Sequence, residues 1–281
     1  MRRRWTTVLL ALAAIAALAC EEGGGAIGDP DPTPRGDLPS SMAALGDSIT
    51  SGFGACLTLI ACTRHSWSTG ESLQVNSHYR RLRKANKAID DKAYNYSVPG
   101  ARVSGLQAQA NKAVRAKVEY VTVLIGANDV CRDRVENMTP VDDFRQDLDK
   151  ALGTLKKGLP KARVLVVSIP DLNRLWEIGH TEARAVRAWS NGICPALLAN
   201  PTSTAGPDAS RRSAVGKRVD AYNSQLAAAC KAYGSRCEYD KGAAHKVKFT
   251  LDMVNRLDWF HPDSDGQKKL AEVTYPGQFQ S

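Results

Sequence analysis

The chain is short of aromatic residues, 6% of 281, and short of long apolar runs. Its longest such run, Val8 to Ala19, falls well below the about 20 residues that a membrane-spanning helix needs. No two cysteines are spaced C-x-x-C, so neither a structural zinc site nor a dithiol redox motif is expected. There is no RNP motif, no zinc-finger spacing and no basic stripe interleaved with aromatics. A nucleic-acid partner is therefore not expected, despite a formal net charge of +9. What remains is a globular composition: 43% hydrophobic and 24% charged residues, enough for one large or two small domains with a buried core.

The N-terminus reads as an export signal. Arg2, Arg3 and Arg4 precede the short apolar run, which ends in small residues. Ala17-Leu18-Ala19 before Cys20 has two readings. It is an A-x-A site for signal peptidase. It is also similar to a bacterial lipobox, with Ala17 standing where leucine is usual, in which case Cys20 is lipidated and becomes the mature terminus. The arginines are similar to a twin-arginine signal too, but lack the apolar residues that follow one. Residues 1–19 are thus expected to be a signal peptide. Residues 20–39, rich in Gly, Pro and Asp, are expected to be a flexible tether, and 40–281 one folded domain. The product is either a cell-surface lipoprotein held to the membrane by its lipid or a secreted protein, and a monomer is expected.

Setting Cys20 aside leaves Cys56, Cys62, Cys131, Cys194, Cys230 and Cys237. In an oxidising compartment an even set suggests three disulfides. Proximity in sequence favours Cys56–Cys62 and Cys230–Cys237, which leaves Cys131–Cys194, though other pairings stay open.

Apolar runs alternate with helical segments. Strands are expected at Ser41–Leu45, Ala93–Val98, Tyr120–Ile125, Arg163–Ile169 and Cys237–Tyr239. Helices are expected at Ser77–Ala88, Ser104–Lys117, Thr139–Lys157 with Thr139 as N-cap, Arg211–Tyr233 and Asp263–Val273. Glu182–Pro207 reads as an irregular inserted excursion. Such alternation implies a mostly parallel sheet covered on both faces.

In an open parallel sheet, ligands sit beyond the carboxyl ends of the strands. The polar residues of this chain gather there. The first strand ends at Gly46-Asp47-Ser48, the second at Pro99-Gly100, the third at Gly126-Ala127-Asn128-Asp129. Asp258-Trp259-Phe260-His261 stands before the last helix. With ALGDSITSGFG, NYSVPGA, IGAND and DWFH in this order, the sequence resembles the SGNH or GDSL hydrolases from Met42 to about Tyr275. The wording around the blocks is similar to secreted bacterial GDSL esterases and lipases and to the phospholipase B-like branch. The resemblance implies a three-layer α/β/α sandwich on a flavodoxin-like sheet of about five strands.

The chemistry needs these residue types. A serine hydroxyl is a weak nucleophile until a base takes its proton. His261 is the candidate base, and Asp258, three residues earlier, the carboxylate that fixes its tautomer. A tetrahedral oxyanion needs donors. Asn128 offers a side-chain NH₂, Gly100 an unobstructed backbone N–H and Ser48 its own N–H. The resemblance assigns these same three to the oxyanion hole and Ser48, Asp258 and His261 to catalysis.

Asp47 and Asp129 are read as structural. His65, His78, His180 and His245 are read as solvated. Trp67, Trp176 and Trp189 are open between lining an acyl pocket and packing. Ser51-Gly52-Phe53-Gly54 after Ser48 is not a phosphate-binding loop, and neither a metal nor an organic cofactor is expected. The expected activity is hydrolysis of lipid or small carboxylic esters through an acyl-enzyme on Ser48. The alternatives are a carbohydrate O-deacetylase, or a surface-anchored binding module with a vestigial site.

Overall fold

A computed structural model describes residues 38–277. The expected leader, Cys20 and all of the tether but Leu38 and Pro39 lie outside the described residues. Leu38 already belongs to the core, and Asn86 Nδ2 donates to the carbonyls of Leu38 (3.2 Å) and Pro39 (3.3 Å).

Five strands form one all-parallel sheet: β1 (Met42–Gly46), β2 (Ala93–Asn95), β3 (Tyr120–Leu124), β4 (Arg163–Val166) and β5 (Cys237–Tyr239). Their spatial order is β2-β1-β3-β4-β5, the flavodoxin-like order. β1 and β3 are buried along their whole length, which is why they read as unbroken apolar runs rather than alternating ones. The edge strands β2 and β5 are short and only half-buried.

The helices among the described residues are α1 (His78–Ala85), α2 (Leu106–Arg115), α3 (Ala127–Val130), α4 (Val141–Gly158), α5 (Asn173–Gly179), α6 (Ala183–Trp189), α7 (Pro195–Leu198), α8 (Gly206–Tyr233) and α9 (Ser264–Thr274). α2, α4 and α8 pack side by side on one face, where the Phe144 and Tyr222 rings stack at 4.0 Å. α1 and α9 cover the other face. There His78 joins β3 to α9, its Nδ1 lying 3.0 Å from the Tyr120 hydroxyl and its Nε2 3.0 Å from Thr274 Oγ1.

Several sequence expectations are corrected. His78 is not solvated: it is wholly buried, and burial first, then the Arg81 charge, push its imidazole down to about 3. Thr139 does not cap α4. Its hydroxyl is committed to Asp129 Oδ1 (2.8 Å), and Pro140 flanks the helix instead. The excursion at Glu182–Pro207 holds α6 and α7, whose Ala185, Trp189, Ala196, Leu197 and Leu198 enter the core. α8 begins at Gly206, five residues before the expected start.

The three disulfides are Cys56–Cys62, Cys131–Cys194 and Cys230–Cys237, with Cα atoms 6.0, 4.4 and 5.4 Å apart. Cys131–Cys194 fastens the segment after α3 to the start of α7. The Ala196 amide reinforces this by donating to the Arg132 carbonyl (2.9 Å). No helix among the described residues is long and apolar enough to cross a membrane.

Candidate active site

β1 leaves the sheet at Gly46 with φ +151°, and a Cβ there would stand 2.2 Å from the Leu124 carbonyl oxygen. Only glycine lets β1 and β3 stay this close. Gln109 of α2 holds the same residue from both sides, accepting from Gly46 N (2.7 Å) and donating to Gly46 O (2.9 Å). The chain then turns through Ser48, whose carbonyl accepts from Phe53 N and Ser51 Oγ, both at 3.0 Å. Gln267 of α9 closes the turn from the other face. Its Nε2 donates to Ile49 O (2.8 Å) while its Oε1 accepts from Trp67 N (2.9 Å).

Ser48 Oγ lies 2.9 Å from His261 Nε2, and His261 Nδ1 lies 2.7 Å from Asp258 Oδ2. Asp258 is buried. Its other oxygen, Oδ1, accepts from the backbone N–H groups of Phe260 (2.9 Å) and His261 (3.1 Å). Between Asp258 and Phe260, Trp259 takes a left-handed φ of +54°, and its carbonyl accepts from Trp189 Nε1 (3.0 Å). Asn255 fixes the base of this turn, its amide donating to His261 O (2.8 Å) and its carbonyl accepting from Trp259 N (2.7 Å). The Phe53 and Phe260 rings flank the imidazole at 4.7 and 5.1 Å.

Ser48, Asn128 and His261 line one cleft. Leu172, Leu175, Phe249, Val254 and Phe260 give it an apolar wall. Asn128 follows β3 in the single turn of α3, and its Nδ2 donates one hydrogen to the Ala101 carbonyl (3.0 Å). Gly100 is not among the cleft-lining residues. It is exposed, with φ +78° and open space where a Cβ would be, so the backbone conformation rather than room demands glycine there. Trp67 and Trp189 are core residues and Trp176 donates to Pro201 O (2.7 Å); none lines the cleft. His65, half-buried, bonds Ser264 Oγ (2.6 Å), and His245 Nδ1 lies 2.9 Å from Ile169 O. Cys56, Cys62 and His65 bring ligand-type atoms within 4.8 Å of one another, but both sulfurs are taken up by their disulfide.

Two carboxylates are buried behind the site. Asp129 Oδ2 accepts from Val103 N (3.0 Å) and Oδ1 from Thr139, which ties the loops after β2 and β3 together. Burial raises its pKa to about 6 against those bonds. Asp47 Oδ1 accepts from Ile49 N (2.9 Å), while Oδ2 has no hydrogen-bond partner among the described residues. Burial pushes Asp47 from 3.8 up to about 7; the Ile49 bond opposes the rise and the Asp129 charge adds to it. An acid raised in the folded state contributes stability at low pH that is lost as pH climbs through this window. Asp47→Asn should therefore gain on the wild type by up to about 1.4 kcal/mol per pH unit between pH 4 and 7. Above that the difference flattens. Urea unfolding of both proteins across this range checks it, and parallel stability curves would show that Asp47 is ionised throughout.

Gln109, Gln267 and Asn255 were not expected from sequence. The only trace of the two glutamines is a polar residue on the apolar side of a helix: Gln109 among Leu106, Ala110 and Ala113, and Gln267 beside Leu270 and Ala271.

A family model described as GDSL-like Lipase/Acylhydrolase matches residues 42–274. The membrane-associated phospholipase B1 of Rattus norvegicus is 26% identical over 216 residues, covering 60% of this chain and 15% of that protein. The Homo sapiens protein of the same name is 27% identical over 222 residues, covering 62% and 15%. The chain thus spans about 15% of the length of the curated relatives it matches. Among solved structures, one described as a GDSL-like lipase from Parabacteroides merdae superposes with TM-score 0.54 at 17% identity. It covers 87% of this chain and 96% of that one, a likeness of fold.

Proposed function

The chain belongs to the GDSL-like lipase/acylhydrolase family, and from that premise we propose that it is an exported serine hydrolase of lipid or small carboxylic esters. The observation that carries the reading is the unbroken line Ser48 Oγ–His261 Nε2 and His261 Nδ1–Asp258 Oδ2, at 2.9 and 2.7 Å, opening on an apolar cleft.

Ser48 Oγ attacks the ester carbonyl carbon as His261 Nε2 takes its proton. The carbonyl π-electrons move onto oxygen, giving a tetrahedral oxyanion. Asn128 has a second amide hydrogen free of the Ala101 bond to meet that oxygen, and the backbone N–H of Ser48 joins it. The Gly100 N–H, on a residue that does not line the cleft but adjoins the Ala101 that holds Asn128, is the third donor of the set. The oxyanion collapses, the C–O bond to the alcohol breaks, and the alkoxide leaves with the proton from His261. Water, deprotonated by the same imidazole, then attacks the acyl-serine; the bond between the acyl carbon and Ser48 Oγ breaks, the acid leaves, and His261 returns its proton to Oγ. Asp258 supports the imidazolium through both halves.

An apolar wall of Leu172, Leu175, Phe249 and Val254 suits an acyl chain better than an acetyl group on a sugar. A p-nitrophenyl ester series run beside phosphatidylcholine and acetyl-xylan tests this. Each added methylene should raise kcat/KM by several-fold until the cleft is full, short of the about 10–200-fold that one methylene in a closed apolar pocket supplies. Preference for acetyl-xylan would instead favour the O-deacetylase. A chain that turns over no ester and takes no fluorophosphonate label on Ser48 is a binding module.

A further inference from the structure

Six large apolar side chains stand in solvent among the described residues. They are Leu57 (80% exposed), Leu59 (47%), Ile60 (63%), Leu73 (79%), Val98 (46%) and Leu257 (56%). Apolar residues scattered singly over a surface are ordinary. These are not scattered. Leu57, Leu59 and Ile60 fall inside the loop closed by Cys56–Cys62. That loop grows out of the Ser48 turn, with Cys62 N donating to Ser51 O and Gly54 N to Ile60 O, both at 3.1 Å.

Leu257 immediately precedes Asp258, and its amide donates to Asn255 Oδ1 (2.7 Å). Asn255 Nδ2 donates in turn to the Gly54 carbonyl, so Gly54 joins the Ile60 side of the loop to the Leu257 turn. Val98 lies two residues before Gly100, and its amide donates to Gly46 O (3.1 Å). Five of the six therefore stand on the three loops that carry Ser48, Gly100 and the Asp258–His261 pair. Leu73 adjoins Gln74, which shares a surface hollow with Leu57.

Exposed arginines accompany three of the apolar segments: Arg64 after Cys62, Arg102 after Gly100 and Arg256 before Leu257, the last shared with Asp252 and Glu182; Leu73 has the exposed Glu71 near it instead. The two carboxylates that line the Leu57 hollow are engaged within the protein. Asp263 caps α9, and Asp265 accepts from Gln74 Nε2 (3.4 Å). Exposed leucine and isoleucine on loops that also carry exposed arginines is the chemistry of a surface that enters lipid between anionic headgroups. A loop already closed by a disulfide also loses little freedom on docking.

We infer that the Cys56–Cys62 loop, together with Leu257 and Val98, seats the site on an anionic phospholipid surface. The inference rests on the reading of the site as a lipid-ester hydrolase, and names the physical state in which that substrate is met.

The test uses the chain purified after export and carrying Cys20→Ala, so that no acyl anchor can contribute. It is compared with the same chain bearing Leu57→Ser, Leu59→Ser and Ile60→Ser. Co-flotation with phosphatidylglycerol-containing vesicles should weaken by about a hundredfold or more in the triple variant. Hydrolysis of dissolved p-nitrophenyl acetate should be unchanged. The unsubstituted loop should also bind phosphatidylglycerol vesicles more tightly than pure phosphatidylcholine ones, and less so as salt rises. If the triple variant loses acetate hydrolysis and so has misfolded, Leu257→Ser on the other loop takes its place, with a loss of about fivefold or more in flotation.

Vesicle binding unaffected by the substitutions overturns the inference. So does equal binding to both lipids, or a dimer in sedimentation that the triple variant dissolves. Acetate hydrolysis without any flotation leaves the hydrolase standing and removes the docking surface. Flotation lost in the variant with no ester turned over by either protein does the reverse.

Discussion

Ser48→Ala is expected to lower ester hydrolysis by about 10⁶, the size of loss when a serine hydrolase is deprived of its hydroxyl nucleophile. The fold should hardly notice. Among the described residues Ser48 Oγ bonds only His261 Nε2, while the turn around it is kept by backbone and glutamine contacts that alanine preserves. The loss of one hydrogen bond predicts a stability change of about 1 kcal/mol. A residual rate some 10³ above water would still be in keeping with the proposal, because Asn128 and the backbone donors remain. Steady-state rates, thermal unfolding and labelling by a fluorophosphonate probe should be read on the same preparation. A folded variant that keeps more than about a tenth of the activity would place the nucleophile elsewhere.

The parts of the site that were legible in the sequence are those where one residue type does one job at a strand end. β1 and β3 announce themselves because a central parallel strand is buried on both faces, and MAAL and YVTVL have no polar alternation to suggest otherwise. Gly-Asp-Ser, Pro-Gly and Gly-Ala-Asn-Asp then mark where those strands stop. In a parallel sheet such stops share one edge, so the neighbourhood of Ser48, Asn128 and His261 follows from topology once four blocks stand in order.

What was not legible depends on partners far away in the chain. His78 sits in a basic helix and looks solvated. Its burial is decided by Tyr120 and Thr274, which are 42 and 196 residues distant. Gln109 and Gln267 look like stray polar residues until the backbone groups of Gly46 and Ile49 arrive beneath them. Neither glutamine bonds Ser48 Oγ or the His261 ring; their partners are the backbone groups of Gly46, Ile49 and Trp67. Each satisfies buried backbone groups that the sharp turn after β1 takes out of the sheet ladder, and together they hold Ser48 in register with His261. The excursion between α5 and α8 failed for a different reason. Its helices α6 and α7 are too short for a 3.6-residue period to show, and one is stapled in place by Cys131–Cys194.

Asp258, the proposed partner of His261, offers the sharpest remaining test. Asp258→Asn is isosteric, yet the geometry leaves the amide only one way to sit. The N–H groups of Phe260 and His261 both point at Oδ1, so the amide oxygen must occupy that position. The NH₂ then falls where Oδ2 was, 2.7 Å from His261 Nδ1. Two donors cannot share that contact, so Nδ1 must give up its proton and accept. The imidazole proton moves to Nε2, which now faces Ser48 Oγ as a donor and has no lone pair for the serine proton. The expected loss in kcat is about 10⁴, with the substrate KM nearly unchanged, since the cleft walls are untouched. Nitrogen-15 chemical shifts of the His261 ring separate this from a structural role: the wild type should carry its proton on Nδ1 and the variant on Nε2. Asp258→Glu, which keeps a carboxylate, should retain the wild-type tautomer and recover part of the rate. A variant with the Nδ1–H tautomer intact and nearly full activity would mean that Asp258 only shapes the turn and that Ser48 and His261 act as a dyad.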